Sequence, residues 1–100
     1  MEEWNQQEWE KHINENEVSA FYLYTPMCGT CAVALKMMEV IENVVTNIPI
    51  GKANINYLEQ VAYDYKVESV PCLLISRNGK VEEKVYAFQS VQHLYEKLKN

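Results

Sequence analysis

The chain has 100 residues, of which 48% are apolar and 23% charged, a balance typical of one globular domain with a single core. Its formal net charge of −5 disfavours binding to nucleic-acid phosphates. No apolar run approaches the ~20 residues that span a bilayer, and the acidic N-terminus is unlike a signal peptide. We therefore expect one domain over residues 1–100, located in the cytoplasm, with neither nucleic acid nor membrane as a partner.

The N-terminal part of the chain predicts a helix followed by a buried strand. Residues 2–13 can form a helix in which Trp4, Trp9 and Ile13 share one face. Residues 18–24 form a nearly unbroken apolar run, which is typical of a strand covered on both faces, as in a parallel sheet. The start of the chain therefore predicts a helix that leads into a fully buried strand.

The middle of the chain predicts a long helix, a second strand and a short helix. Apolar residues recur every three or four positions over residues 29–47, after a proline that ends the first strand. Residues 50–55 are predicted to form the second strand. Asn56, with Glu59 three residues later, resembles a helix cap, so we expect a short helix to begin there.

The last third of the chain predicts two paired strands and a final helix. The strands are expected over residues 70–75 and 81–86, on either side of Asn78 and Gly79, a dipeptide that forms tight hairpin turns. Ser90 can cap the final helix. The predicted order is α-β-α-β-α-β-β-α, with a parallel pair from the crossover and an antiparallel pair from the hairpin. Helices must then cover both faces of the sheet.

A C-x-x-C motif lies where the first predicted strand meets the long helix; its residues are Cys28, Gly29, Thr30 and Cys31. The thiolate is the reactive form of cysteine, and the partial positive charge at a helix N-terminus favours it. Cys28 sits where that field is strongest, and Cys31 lies one helical turn later, within bridging reach. The motif therefore indicates a redox pair in which Cys28 is the nucleophile and Cys31 the resolving thiol, while Gly29 leaves the approach open.

The same spacing is also half of a zinc site, because zinc takes four ligands. Cys72 is the third cysteine of the chain and could supply a third ligand. Neither His12 nor His93 has the spacing of a ligand, and each is expected to be a solvated residue of a helix. We therefore expect no metal, and no cofactor other than the disulfide of the pair. A metal or iron–sulfur site is kept as the weaker alternative.

With its C-x-x-C motif followed by Val70-Pro71 and by the Asn78-Gly79 hairpin, the sequence resembles the thioredoxin superfamily. The resemblance runs over nearly the whole chain from Val18 onward. It implies a thioredoxin-like α/β fold, with a central mixed four-stranded sheet and helices on both faces. It also implies a thiol–disulfide oxidoreductase that reduces disulfides in proteins, with a thioredoxin reductase or a low-molecular-weight thiol as electron donor.

The resemblance also implies roles for the residues around the cysteines. Pro71 is expected to follow a cis peptide bond and to face the disulfide, and the backbone of Val70 is expected to pair with a substrate chain. Met27, Gly29 and Thr30 are expected to contact the substrate beside it. Because the proline of this family hinders metal access to the cysteines, it weakens the metal alternative.

Several positions depart from the family pattern. Met27 and Thr30 replace the tryptophan and the proline of the typical Trp-Cys-Gly-Pro-Cys motif, so strong reducing power is not implied. Tyr22 stands where many thioredoxins have a buried aspartate. Lys52 corresponds to the lysine that partners this aspartate. Alone in an apolar site such a lysine would tend to lose its proton, but we expect Lys52 at the surface with only its stem packed. The additional N-terminal strand of the family is expected to be absent.

Cys72 has two interpretations from the sequence. It follows Pro71, so it can be a small buried apolar residue or a third thiol that exchanges with Cys28. Tyr22, Lys52 and Cys72 are therefore candidate modulators of the pair. The missing aspartate and tryptophan also favour an alternative to catalysis, in which the fold is a binding module and the pair only senses the redox state.

Overall fold

Strands and helices alternate along the chain in the computed structural model, which describes residues 1–99. The elements, in chain order, are β1 (Glu2–Glu3), α1 (Gln6–Glu15), β2 (Val18–Tyr24), α2 (Gly29–Val44), β3 (Ile50–Asn54), a 3₁₀ turn (Ile55–Tyr57), α3 (Glu59–Asp64), β4 (Cys72–Arg77), β5 (Lys80–Val85) and α4 (Val91–Leu98). This alternation confirms the α/β class. Within the described residues, no helix is long and apolar enough to cross a membrane.

The strands form one mixed sheet in the order β1-β3-β2-β4-β5. Strand β3 runs parallel to β1 and β2, whereas β4 runs antiparallel to β2 and β5. Strand β2 is therefore central, with Tyr22 opposite Lys52 on β3 and opposite Leu73 on β4. Because β2 and β4 run in opposite directions, the end of β2 that leads to Cys28 lies beside the start of β4, which follows Pro71.

Two apolar cores lie on the two faces of this sheet. Alternation along β2 places Tyr22 in the core with α2 and α4, and Phe21 in the core with α1 and α3. Strand β4 alternates in the same way, with Leu73 in the first core and Cys72 in the second. Helices therefore cover both faces, as predicted.

The sheet has five strands rather than the four that the sequence predicted. The additional strand is β1, in which Glu2 pairs with Gly51 and Glu3 with Lys52, so the expected absence of an N-terminal strand is wrong. Two residues are too few to show the alternation that identifies a strand in a sequence. Contacts of the next residue, Trp4, with strand β3 hold β1 at the edge of the sheet. The backbone N–H of Trp4 donates to the Lys52 carbonyl oxygen at 2.9 Å. A Cβ on Gly51 would overlap the Trp4 indole.

Helix ends differ from the predicted ones where a capping residue decides them. Helix α1 begins later than predicted, because Asn5 and Glu8 form a capping box. The side chain of Asn54 accepts the N–H of Asn56 and caps the 3₁₀ turn, so the predicted cap at Asn56 is wrong. Ser90 caps α4 as predicted, by accepting a backbone N–H of its first turn.

The hairpin between β4 and β5 is confirmed. Asn78 and Gly79 have φ angles of 53° and 87°, which suit a tight turn. Strand β4 begins at Cys72, later than predicted, because Pro71 has no N–H to donate to a neighbouring strand. Helix α2 ends at Val44, short of its predicted end. These shifts leave the predicted order of elements after α1 unchanged.

Candidate active site

Cys28 is the N-cap residue of α2, and Cys31 lies in the first turn of that helix. The structure joins the two sulfurs in a disulfide, with the two Cα atoms 5.2 Å apart. The backbone N–H of Cys31 donates to the Cys28 sulfur at 3.2 Å. Cys28 therefore occupies the position at which a helix end stabilises negative charge, as the sequence predicted.

The two cysteines differ in exposure. Cys31 is 4% exposed, whereas Cys28 is half-buried. The surface around Cys28 is open, because Met27 is 94% exposed and a Cβ on Gly29 would meet no atom within 4 Å. Thr30 is exposed too, and its hydroxyl oxygen lies 3.4 Å from the Cys28 sulfur. An incoming sulfur can therefore reach Cys28 more readily than Cys31.

The peptide bond between Val70 and Pro71 is cis, as the resemblance implies. The carbonyl oxygen of Val70 lies 3.8 Å from the Cys28 sulfur. The antiparallel pairing of β2 with β4 explains this contact, because it places the loop before β4 next to the residues that follow β2. The structure therefore brings Val70 to the pair, with Pro71 directly after it.

Tyr22 connects the central strand to the buried cysteine. Its hydroxyl donates a hydrogen bond to the Cys31 carbonyl oxygen at 2.6 Å, and its ring stacks on Tyr24 with the centroids 5.8 Å apart. Burial, and to a smaller extent Tyr24, raise the pKa of Tyr22 to about 12. Tyr22 therefore keeps its proton at neutral pH, and it acts as a hydrogen-bond donor rather than as a proton acceptor.

A cavity of about 220 Å³ opens beside the pair. Its wall is formed by residues of β2, the loop after it, α2 and β3: Tyr22, Tyr24, Thr25, Pro26, Cys28, Cys31, Ala32, Leu35 and Lys52. Lys52 is half-buried in this wall. Because Lys52 lies opposite Tyr22 in the β2–β3 register, the sheet places a lysine from a distant part of the chain in the same cavity wall as the pair.

Residues 1–100 match the protein-family model described as Thioredoxin. The chain belongs to the thioredoxin family. Its relatives include the thioredoxin-like protein YusE of Bacillus subtilis (strain 168), which is 44% identical over 93 residues, or 93% of this chain and 88% of the relative. A thioredoxin of Chlamydia caviae is 30% identical over 71 residues, or 71% of this chain and 70% of the relative.

Solved structures of thioredoxins share the fold. Plasmodium falciparum thioredoxin superposes with a TM-score of 0.88 at 19% identity, and the match covers 99% of this chain and all of that one. A mutant thioredoxin from Halobacterium salinarum NRC-1 gives 0.86 at 22% identity, covering 98% of this chain and 86% of that one. The thioredoxin-like fold is therefore confirmed. Family membership and the cysteine pair together support thiol–disulfide exchange as the general chemistry of the site.

Cys72 directly follows Pro71 but packs in the core on the other face of the sheet from Tyr22. It is a free cysteine with 0% exposure, in the core that contains Phe21. Burial raises the pKa of the Cys72 thiol to about 12. Of its two interpretations, these observations favour the small buried residue over a thiol that exchanges with Cys28.

The two histidines lie on different helices, His12 on α1 and His93 on α4. His12 is half-buried and stacks on Trp4 with the ring centroids 4.0 Å apart, so its expected solvation is wrong. The backbone N–H of His93 donates to the Ser90 side chain. No three histidine, cysteine or acidic residues among residues 1–99 lie close enough together to hold a metal ion.

Five further residues of the cavity wall were not predicted as site residues from the sequence: Tyr24, Thr25, Pro26, Ala32 and Leu35. Two periodic signals could have found part of this set. Alternation along a strand puts Tyr24 on the same face as Tyr22, and a spacing of four in a helix puts Leu35 on the same face as Cys31. The position of Lys52 depends on the register of β3, which no local pattern reveals.

Proposed function

We propose that this chain is a thiol–disulfide oxidoreductase that reduces disulfides in proteins. The observation that carries the proposal is the arrangement of the pair at the start of α2. Cys28 is half-buried at an open surface and receives the helix N–H of Cys31, whereas Cys31 is 4% exposed. An accessible, activated sulfur with a protected partner is what thiol–disulfide exchange with a large substrate requires.

The reaction begins when Cys28, as the thiolate, attacks one sulfur of a substrate disulfide. The substrate S–S bond breaks and a mixed disulfide forms. The departing substrate sulfur keeps the electron pair of the broken bond and takes a proton from water. Cys31 then loses its proton and attacks the Cys28 sulfur, which releases the second substrate thiol and closes the Cys28–Cys31 disulfide. The substrate gains two electrons and two protons, and the pair loses them.

A donor must return two electrons to the oxidised pair after each cycle. We propose a thioredoxin reductase or a low-molecular-weight thiol for this role, and no cofactor beyond the disulfide itself. The cytoplasm is the compartment that we propose, because its thiol pools keep such dithiols reduced. The negative net charge of −5 supports protein substrates rather than nucleic acids as partners.

Residues around Cys28 support binding of an extended substrate segment. Val70 presents its carbonyl oxygen 3.8 Å from the Cys28 sulfur, and a substrate backbone N–H can pair with such a carbonyl as in a short β-ladder. Pro71 would orient this segment, with Met27 and Thr30 beside it as exposed contact residues. Flexible methionine suits a surface that accepts several substrates.

A trapping experiment tests this proposal. Cys31→Ser leaves the mixed disulfide on Cys28 without its resolving thiol, so the variant should retain covalently bound proteins after exposure to a cell extract. Cys28→Ser is the matched control and should retain far fewer. Equal capture by both variants would show that Cys28 is not the attacking sulfur.

Turnover is measured separately, with insulin as the protein disulfide and dithiothreitol as the reductant. The wild-type chain should accelerate insulin reduction, and each single serine variant of the pair should lose most of this acceleration.

The second candidate function is a redox-sensing binding module, which Tyr22 favours because it keeps its proton where a carboxylate would accept one. An unaccelerated insulin reaction, together with reversible formation of the disulfide, would support the module instead.

A further inference from the structure

The cavity beside the pair contains one formal charge. Among its lining side chains only Lys52 is charged at neutral pH, because the phenols of Tyr22 and Tyr24 keep their protons. Burial is the main cause that raises the pKa of each phenol to about 12. Apart from the Thr25 hydroxyl and the disulfide, the remaining side chains of the wall are apolar.

Lys52 has no carboxylate within ion-pair distance among residues 1–99. Glu3 pairs with Lys52 in the β1–β3 register, but its carboxylate accepts the hydrogen bond of the Tyr24 hydroxyl at 2.8 Å and forms no ion pair with Lys52. Opposite charges attract more strongly in a partly buried site than at an open surface, because water and salt screen them less. The Lys52 ammonium is therefore the group of the cavity wall with which a small anion can pair.

The volume of the cavity limits the size of that anion. About 220 Å³ is less than the ~300–1,000 Å³ typical of sites for drug-sized ligands, so the ligand has roughly the size of an amino acid. Cys28 and Cys31 line the same cavity as Lys52, so such a ligand lies beside the disulfide. The two tyrosine rings and Leu35 offer apolar contacts to a short carbon chain.

We propose that this cavity binds a small thiol carrying a carboxylate, with the carboxylate on the Lys52 ammonium and the sulfur beside Cys28, and that this thiol reduces the oxidised pair. The inference rests on the proposed function, because it names the electron donor for the same site. It selects the low-molecular-weight thiol over a reductase protein, and an anionic thiol over neutral or cationic ones.

The reduction consumes two molecules of the small thiol. The first attacks Cys28 as its thiolate, the Cys28–Cys31 bond breaks, and Cys31 takes the electron pair and then a proton from water. The second thiolate attacks the sulfur of the first in the mixed disulfide and releases Cys28. Two thiols are oxidised to one small disulfide, and the protein disulfide is reduced to two thiols.

The test compares 3-mercaptopropionate with 2-mercaptoethanol, which carry a carboxylate and a hydroxyl at the end of similar chains. Reduction of the oxidised protein is stopped by alkylation and followed by mass, and each rate is divided by the thiolate concentration. We expect 3-mercaptopropionate to react about tenfold faster per thiolate, as one charge-assisted contact allows, and its rate to saturate with concentration.

Charge variants identify the contact. In Lys52→Met the two thiols should react at about equal rates per thiolate, whereas Lys52→Arg should retain most of the preference for 3-mercaptopropionate. Lys11→Met is the matched control, because Lys11 is exposed on α1 and its loss changes the net charge equally. Equal rates per thiolate for the two thiols, or equal losses in Lys52→Met and Lys11→Met, would overturn the inference.

A competition experiment needs no variant. Sodium propionate should slow the reaction of the wild-type chain with 3-mercaptopropionate more than sodium chloride does at the same ionic strength; equal slowing contradicts a carboxylate site. The oxidoreductase proposal and the cavity inference can be contradicted independently of each other. If insulin turnover with neutral dithiothreitol is retained but the carboxylate preference is absent, only the cavity inference is wrong; if turnover is absent, the oxidoreductase proposal is wrong.

Discussion

The hydroxyl of Tyr22 on the central strand donates to the carbonyl oxygen of Cys31, in the first turn of α2, at 2.6 Å. This bond links the backbone of the buried cysteine to the most enclosed strand of the sheet. Because Tyr22 keeps its proton at neutral pH, the link does not depend on the protonation state under ordinary conditions. The bond therefore holds the first turn of α2 against β2.

Replacing Tyr22 with phenylalanine should weaken the fold without changing its shape. The variant loses one buried hydrogen bond, and we expect the free energy of unfolding of the oxidised protein to fall by about 1 kcal/mol. Urea unfolding followed by circular dichroism measures this loss. Tyr63→Phe is the matched control, because Tyr63 is 80% exposed and its replacement should cost nothing measurable. Equal stability of Tyr22→Phe and the wild type would contradict a stabilising role for the bond.

The Thr30 hydroxyl, 3.4 Å from the Cys28 sulfur, should assist the thiolate. In a Cys31→Ser background, we expect half-maximal alkylation of Cys28 by iodoacetamide at a pH well below the ~8.5 of a free thiol. Adding Thr30→Val removes the hydroxyl at constant volume and should move this midpoint up by about 0.5 pH units. Thr46→Val, at an exposed position after α2, should leave it unchanged.

Two results would argue against this picture of Cys28. A midpoint at or above ~8.5 in the Cys31→Ser background would mean that the start of α2 does not activate the thiol. A midpoint that Thr30→Val leaves in place would mean that the helix N–H groups alone account for the activation.

Cys72 should make the protein less stable in alkali. Burial raises the pKa of its thiol from an ordinary value of 9.0 to about 12, so between these values the folded chain keeps a proton that the unfolded chain has lost. The stabilisation is complete below pH 9 and is lost as the pH rises towards 12, at no more than about 1.4 kcal/mol per pH unit for this group. Tyr22 adds to the loss at the upper end, because its pKa is raised to about 12 as well.

Urea unfolding of the oxidised protein at pH 7, 9, 10 and 11 checks this prediction. The free energy of unfolding should decline with pH in the wild type and decline less steeply in Cys72→Ala. Each protein is compared with its own value at pH 7, because the smaller side chain also leaves a cavity. Parallel declines in the two proteins would mean that the Cys72 thiol is not the group responsible.

Gly51→Ala should destabilise the edge of the sheet. An added Cβ would overlap the Trp4 indole, so either the indole or strand β3 must move, and we expect a loss of about 1–3 kcal/mol in the free energy of unfolding. Gly29→Ala is the matched control for stability, because its Cβ would meet no atom within 4 Å and alanine favours a helix. Equal stability of the two variants would indicate that Trp4 does not rest on Gly51.

Local signals in the sequence predicted most of the fold and the centre of the site. The Asn78-Gly79 turn, the Ser90 cap and the position of Cys28 at a strand–helix junction each depend on a few neighbouring residues, and each has the predicted position in the structure. The apolar run of β2 was also sufficient to predict that strand, because a strand buried on both faces has a distinctive composition.

Features that depend on distant residues were not predictable in the same way. Strand β1 has two residues and exists because Glu2 and Glu3 pair with β3 while Trp4 packs on Gly51. The cavity depends on register, since Lys52 reaches the pair only when β3 lies beside β2 in the observed alignment. Pairing and register are properties of the assembled sheet, and local periodicity does not contain them.

Both tryptophans, Trp4 and Trp9, pack against Phe21 with tilted rings on the α1 side of the sheet, whereas Tyr22 and its contact with the redox pair lie on the other side. Indole emission should therefore report unfolding and remain almost silent when the disulfide opens or closes. The same optical signal can then measure the stability of the oxidised and the reduced forms in parallel. Their difference, taken around a thermodynamic cycle with the unfolded chain, yields the reduction potential of the Cys28–Cys31 couple relative to that of the unfolded chain.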